Sequence, residues 1–220
     1  MLVFLDIKTT GSEIDDKICA LSTLHDDTLS SELINDGKKI ASEASASHHI
    51  SNADIKEKNS FTQSKGYKFL QELSVDDILV VHDYDFVYKI LQSYGVTVYA
   101  KIVDTKRVVK HIVEDIERFD LQYLRYELQL LDTNDIVYKP LEDVVVIKSL
   151  FEYLLHSVSE EEMFELSFTN VLLQKFNFGK YNGRYIEEIV NIDPQYLHWM
   201  LSLDNLDADL QYTIQYYLQG

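Results

Sequence analysis

The sequence predicts an α/β fold, a mixed sheet with helices on both faces, followed by a small, mostly helical C-terminal module with a hairpin. Three observations carry this. The chain opens with three strand-like segments close enough together to form an antiparallel meander. Helical and strand-like segments then alternate, the pattern that places helices against both faces of a partly parallel sheet. Past Ser159 the character changes to an acidic helical start and two glycines set among aromatics.

Taken in order, residues 2–8 read as a strand ending in the turn Thr9-Thr10-Gly11, residues 17–24 as a second strand and residues 28–35 as a third. Residues 36–60 are polar and weakly periodic, which predicts a long connection with one helical turn near Asp54. Phe61, Tyr67, Phe69, Leu70 and Leu73 fall at helical spacing. Ile78-Leu79-Val80-Val81-His82 is a short continuous apolar run of the kind buried on both faces. A helix over 85–94 stops at Gly95, a strand follows over 97–104, and further helices are expected around 121–131 and 141–155. The boundary falls at Ser159, giving domains of 1–158 and 159–220. In the second, Glu160-Glu161-Glu162 opens a helix, Phe176 to Tyr185 forms a tight hairpin, and Pro194 starts the next helix.

The 220 residues suffice for one well-buried domain plus an appendage. No apolar run approaches the eighteen or so residues of a membrane span, and no basic leader precedes Asp6, so the expected location is cytoplasmic. Cys19 is the only cysteine, which excludes an internal disulfide and a cysteine-based zinc site. The net charge is −17, with 17 basic and 27 acidic residues before Ser159 and 3 and 10 after it. A surface that grips phosphates throughout carries the opposite balance.

Asp6-Ile7-Lys8-Thr9-Thr10-Gly11 resembles the first motif of the DEDD, or DnaQ-like, 3′–5′ exonucleases, in which Asp-x-Glu precedes Thr-Thr-Gly. Residues two apart on a strand face the same way, so in that motif both carboxylates reach one metal pair. His48-His49-Ile50-Ser51 resembles the family's His-Gly-Ile-Thr, and residues 79–87 resemble its apolar run followed by His-Asn-x-x-Phe-Asp. Asp104-Thr105 matches an Asp-Thr after the next strand, and Tyr138-Lys139-Pro140-Leu141-Glu142-Asp143 resembles the third motif. Five segments in the family's order imply a ribonuclease H-like fold over the first domain.

The resemblance implies metal-binding carboxylates at Asp6, 8, 87 and Asp143, and a general base at 138. Lys8, Val87 and Tyr138 occupy three of these positions. The family's chemistry resembles two-metal hydrolysis, in which Mg²⁺ or Mn²⁺ activates a water and a histidine takes its proton. Here the four ligand positions sum to −1 where the family supplies −4. Lys8 is expected to pair with Asp6 and Asp143 at about 4 kcal/mol per close contact before desolvation. Tyr138 is a poor base at neutral pH. Rescue requires Lys8 to swing out, with Asp83, one helical turn before Val87, recruited in its stead. The same resemblance places Thr9, Thr10, Gly11 and His82 at the nucleic acid, although His82 taken alone reads as a structural hydrogen-bonding residue.

The block from Phe178 to Arg184, with Tyr196-Leu197-His198-Trp199 after it, resembles the C-terminal module of the exonuclease X group. Lys180, Arg184 and Trp199 are its candidate nucleic-acid contacts. The competing expectation is that Phe178, Tyr185, Tyr196 and Trp199 form the module's core. The expected function is that of a nuclease-fold protein, catalytically impaired or inactive, which binds a nucleic-acid end or a protein partner. The alternatives are an active divergent exonuclease on single-stranded DNA or RNA, using Mg²⁺ or Mn²⁺, and an acidic decoy.

Overall fold

The computed structural model describes residues 1–13, 15–114, 116, 118–130 and 140–219, the side chain of residue 140 excepted. They form two compact units, Met1–Ser167 and Phe168–Gly220. The first holds five strands: β1 (Leu2–Thr9), β2 (Ile18–His25), β3 (Thr28–Leu33), β4 (Ile78–Val81) and β5 (Lys101–Asp104). Their order is β3-β2-β1-β4-β5, with β1, β2 and β3 antiparallel in succession and β4 and β5 parallel to β1. Asp26 and Asp27 join β2 to β3 with φ of 46° and 56°. Two positive φ values in a two-residue loop give the turn whose twist matches that of the strands it joins.

The helices of this unit are α1 (Ser42–His48), α2 (Asn52–Ile55), α3 (Lys65–Glu72), α4 (Tyr84–Ser93), α5 (Thr105–Ile112), α6 (Leu121–Glu127), α7 (Asp143–Leu154) and α8 (Glu160–Leu166). Alternation along β1 decides which face each residue serves. Val3, Leu5 and Ile7 pack on one face with Leu70 of α3 and Val87, Ile90 and Leu91 of α4. Phe4 packs on the other with Val108 of α5, Leu124 of α6, Ile147 and Phe151 of α7 and Met163 of α8. The Phe4 and Phe151 rings meet edge to face at 5.6 Å. Each such buried side chain contributes roughly 1.5–3 kcal/mol. Asp6 and Lys8 continue Phe4's row, which brings both beneath the start of α7.

Four expectations need correcting. The division between units falls after Ser167, not Ser159: Met163 is fully buried in the core of the first unit, and the Ser167 hydroxyl accepts from the backbone N–H of Asp104. The strand expected over 97–104 is confined to Lys101–Asp104. Helix α5 was hidden because its start is set by a side chain, the Asp104 carboxylate accepting from the N–H groups of Lys106 and Arg107. Helix α1 lies in the polar connection and has one buried residue, His48, so apolar periodicity could not reveal it.

The second unit contains α9 (Ile186–Ile192), α10 (Pro194–Leu201) and α11 (Ala208–Gln219). Pro194 opens α10, where its missing N–H costs nothing, and Asp193 caps the helix by accepting from Tyr196 N–H. The expected hairpin is present: Lys175 bridges Tyr185, Phe176 N–H donates to Arg184 O, and Gly183 N–H donates to Phe176 O. Gly179 has φ +69°, and a Cβ there would lie 3.0 Å from the Tyr196 hydroxyl. The core is Phe176, Ile186, Ile189, Leu197, Met200, Leu210 and Ile214. Phe178, Tyr185 and Trp199 are therefore not core residues; they are exposed. Among the described residues of the chain, no helix is long and apolar enough to cross a membrane.

Candidate functional site

The Lys8 ammonium sits between two carboxylates. It lies 3.1 Å from Asp6 Oδ2 and donates to Asp143 Oδ2. Asp6 and Lys8 come from the same face of β1, and Asp143 is the first residue of α7, held by the packing of Val144, Ile147 and Phe151 behind it. Asp143 is buried, and its second oxygen, Oδ1, accepts from Gln122 Nε2 at 2.6 Å. Gln122 in turn accepts through Oε1 from the buried Arg125 guanidinium at 3.2 Å, both residues lying on α6. Arg125 also lies over the Tyr126 ring, 5.2 Å from its centroid.

Among the described residues the network contains Asp6 and Asp143 as anions and Lys8 and Arg125 as cations. Burial alone would favour a neutral Lys8, but the charges of Asp6 and Asp143 outweigh it and hold the ammonium well above its usual pKa. Burial pushes the Asp143 carboxyl upward, with Asp6 adding to the shift and Lys8 and Gln122 opposing it. A divalent cation does not fit this arrangement. The space between the two retained carboxylates is taken by a cation attached to the chain, and both Asp143 oxygens are occupied. No group of three or more His, Cys, Asp or Glu side chains suited to a metal occurs among the described residues.

The other positions of the expected centre are spent differently. Val87 is buried in the apolar cluster with Leu5, Ile7 and Leu79. Tyr138 lies outside the described residues. Asp83 does not share a helical face with Val87: it precedes α4 as its N-cap, with φ 80°, accepting from Phe86 N–H at 3.3 Å. Its other oxygen pairs with Lys106 at 2.6 Å. Asp85 is exposed. The recruitment of Asp83 towards Asp6 and Asp143 is thus not what this geometry provides, because capping and Lys106 engage both its oxygens.

Thr9, Thr10 and Gly11 form a closed turn. The Thr9 hydroxyl donates to Gly11 O at 2.7 Å, and that of the buried Thr10 to Asp16 Oδ1 at 2.6 Å. A Cβ on Gly11 would lie 2.4 Å from Asp16 Oδ2, so this carboxylate requires a glycine there. Asp16 also pairs with Lys38 at 2.9 Å. The hydroxyls expected to meet nucleic acid are committed within the chain. His82 is engaged at both ring nitrogens, with Thr105 Oγ1 at 2.9 Å and Phe119 O at 2.8 Å. Burial holds its pKa down.

His48, expected in a loop, is buried at the end of α1. Its Nδ1 accepts from Ile50 N–H, so Nε2 carries the proton and donates to Thr9 O at 3.1 Å. His49 then takes φ 56° as the helix C-cap. The corresponding segment of the resembled family has glycine there, the residue for which this conformation is cheapest.

In the second unit the candidate cations are paired. Lys180 binds Asp193 at 2.8 Å, and Arg184 binds Glu188 at 3.0 Å. Trp199 is 54% exposed. Sequence reasoning missed Gln122 and Arg125, the residues that close the buried network.

Sheet order, strand directions and the Asp6–Asp143 placement define a ribonuclease H-like exonuclease fold, and comparisons with known proteins agree. Exonuclease X in complex with 5′ overhanging duplex DNA matches with a TM-score of 0.60 at 16% identity, covering 76% of this chain and 99% of that one. The nuclease domain of 3′hExo, a DEDDh family member bound to rAMP, matches at 0.54 and 12% identity, covering 70% and 91%. NrnC of Brucella melitensis with bound Mg²⁺ matches at 0.51 and 14%, covering 76% and 77%.

Residues 176–205 match the exodeoxyribonuclease X-like C-terminal family. Exodeoxyribonuclease 10 of Escherichia coli strain K12 is 33% identical over 61 residues, 27% of this chain. The match spans 28% of that relative's length. The chain therefore combines a DnaQ-like 3′–5′ exonuclease fold with an exonuclease X-type C-terminal segment.

Proposed function

We propose that this chain is a nuclease-fold protein whose hydrolytic centre has become a closed ion-paired network, and that it acts by binding a nucleic-acid end or a protein partner in nucleic-acid metabolism, in the cytoplasm. One observation carries the reading: the Lys8 ammonium lies between Asp6 and Asp143. Two-metal hydrolysis requires two dications at carboxylates that also leave room for a water and a phosphodiester. With a tethered cation in that space, the side chains keep the architecture without the charge that gathers Mg²⁺ or Mn²⁺.

What these residues do instead is hold β1, α6 and α7 in register. Lys8 bridges two carboxylates, and Gln122 passes the contact on to Arg125. Asp104 performs a similar task nearby. Its carboxylate accepts from the backbone N–H groups of Asp83, Tyr84 and Lys106, tying the starts of α4 and α5 to the end of β5.

The test is incubation with single-stranded DNA and RNA in Mg²⁺ or Mn²⁺. The expected result is no release of mononucleotides. Metal-dependent release that disappears in Asp6→Ala means that the chain is an active exonuclease and the proposal is wrong.

A further inference from the structure

The second unit concentrates its cations in one place. Lys175, Lys180 and Arg184 are its only lysines and arginines, and all three are exposed on or beside the hairpin. Three large aromatics are exposed in the same unit: Phe178 at 48%, Tyr185 at 43% and Trp199 at 54%. Contacts link them in separate sets. Lys175 Nζ lies over the Tyr185 ring at 4.6 Å, and Lys180 Nζ over Tyr181 at 4.8 Å. Phe178 meets Phe176 edge-on, Phe176 meets Tyr196, and Tyr196 lies 5.6 Å from Trp199.

A small unit leaves aromatic area in water at a cost, since each ring would contribute more if buried. This core closes without these three side chains. Exposed rings next to cations suit unpaired bases: every base offers a π-face to stack, and the cations meet the phosphates between them. An acidic protein would use the cations and have no comparable use for the rings. The present partner of Arg184 is a weak competitor. Arg184 and Glu188 form an exposed pair four residues apart, a weak kind that a phosphate can replace.

We propose that the exposed rings of this unit, Phe178, Tyr185 and Trp199, together with Lys175, Lys180 and Arg184, bind single-stranded nucleic acid by base stacking. This names the chemistry of the partner left open under the proposed function. It rests on the hairpin and not on the Lys8 network, so its failure leaves the reading of that network standing.

Trp199 is the only tryptophan in the chain, so its fluorescence reports from α10 of this unit. The full chain is titrated with an oligothymidine of about twelve nucleotides in EDTA, at low and raised salt. Expected is saturable quenching that weakens with salt, with a log–log slope of roughly −0.7 per phosphate neutralised. Phe178→Ala should weaken binding about five-fold or more, the loss of one stacked base. Arg184→Ala should weaken it as well. Glu188→Gln should tighten it by freeing Arg184, a gain that loss of folding cannot mimic. Quenching that is absent, or indifferent to both Phe178→Ala and Arg184→Ala, overturns the proposal. Oligonucleotide binding seen by anisotropy without Trp199 quenching overturns it too, because the site is then elsewhere. Equal quenching by polyglutamate reassigns the face to acidic protein.

Discussion

Lys8→Met keeps most of the side chain's length and removes its charge, leaving Asp6 and Asp143 facing each other without a cation between them. At 3.1 Å the attraction between Lys8 and Asp6 is about 5 kcal/mol at an effective dielectric near 20, before desolvation. Returning the ammonium to water recovers part of this, and breaking a buried pair typically costs about 3–5 kcal/mol in measured systems. The Lys8 side chain is 16% exposed, which places the expected loss near the lower end, about 3 kcal/mol. For a unit of this size that lowers Tm by about 6–12 °C.

The loss should depend on pH in a defined sense. The folded-state pKa of Asp143 is already raised by burial, and Lys8 is one of the groups opposing that rise. A carboxyl whose folded pKa is raised contributes stability below its unfolded pKa, near 4, and loses it as pH climbs through the folded value. Without Lys8 the rise is larger, so the penalty of Lys8→Met is greatest at neutral pH and shrinks on acidification towards pH 4. Urea denaturation of both proteins at pH 7 and pH 4 measures this. A difference under about 0.5 kcal/mol at pH 7, or one that grows on acidification, would mean that Lys8 does not hold Asp143 in its charged form.

Three further outcomes are expected. Gln122→Leu removes the donor to Asp143 and the acceptor for Arg125, and should cost about 2 kcal/mol by urea denaturation, as unpaired buried polar groups do. Asp104→Ala should cost about 2 kcal/mol or more, since the N–H groups of Asp83, Tyr84 and Lys106 lose their acceptor together; a Tm within a degree of the parent contradicts it. His48 and His82 both have folded pKa values held below the ordinary 6.5, burial being the main cause. A depressed pKa contributes stability above the unfolded value and loses it as pH falls through the folded one. Their imidazole resonances should therefore begin to titrate only below 6.5, and the first unit should lose stability there.

Much of the fold was legible because β1, β2 and β4 announce themselves by apolar runs, and because Asp6, His82, Asp104 and Asp143 follow one another in a recognisable order. The pairing of Lys8 with Asp6 followed from a period of two along β1, which requires no tertiary information. Gln122 and Arg125 were invisible for the opposite reason. Nothing on a short helix marks which polar residue will turn inward, and only the packing of α6 against α7 decides it. Asp83 misled because one residue in the start of α4 separates a ligand on the helical face from a cap outside it. In the second unit, counting Phe178, Tyr185 and Trp199 as core failed because Phe176, Ile186, Ile189, Leu197, Leu210 and Ile214 already fill the interior, with Tyr196 packed against them.

Thermal unfolding with and without Mn²⁺ reads out whether the Lys8 ammonium occupies the place of a metal ion. Lys8→Glu places three carboxylates where two now share an ammonium, so this variant should be destabilised in EDTA and recover as Mn²⁺ is added, because a ligand held by the folded state raises its stability. The parent chain's Tm should stay within about a degree over the same titration. A parent Tm that climbs with Mn²⁺, and ceases to in Asp6→Asn, would show that the metal site survives and contradict the account.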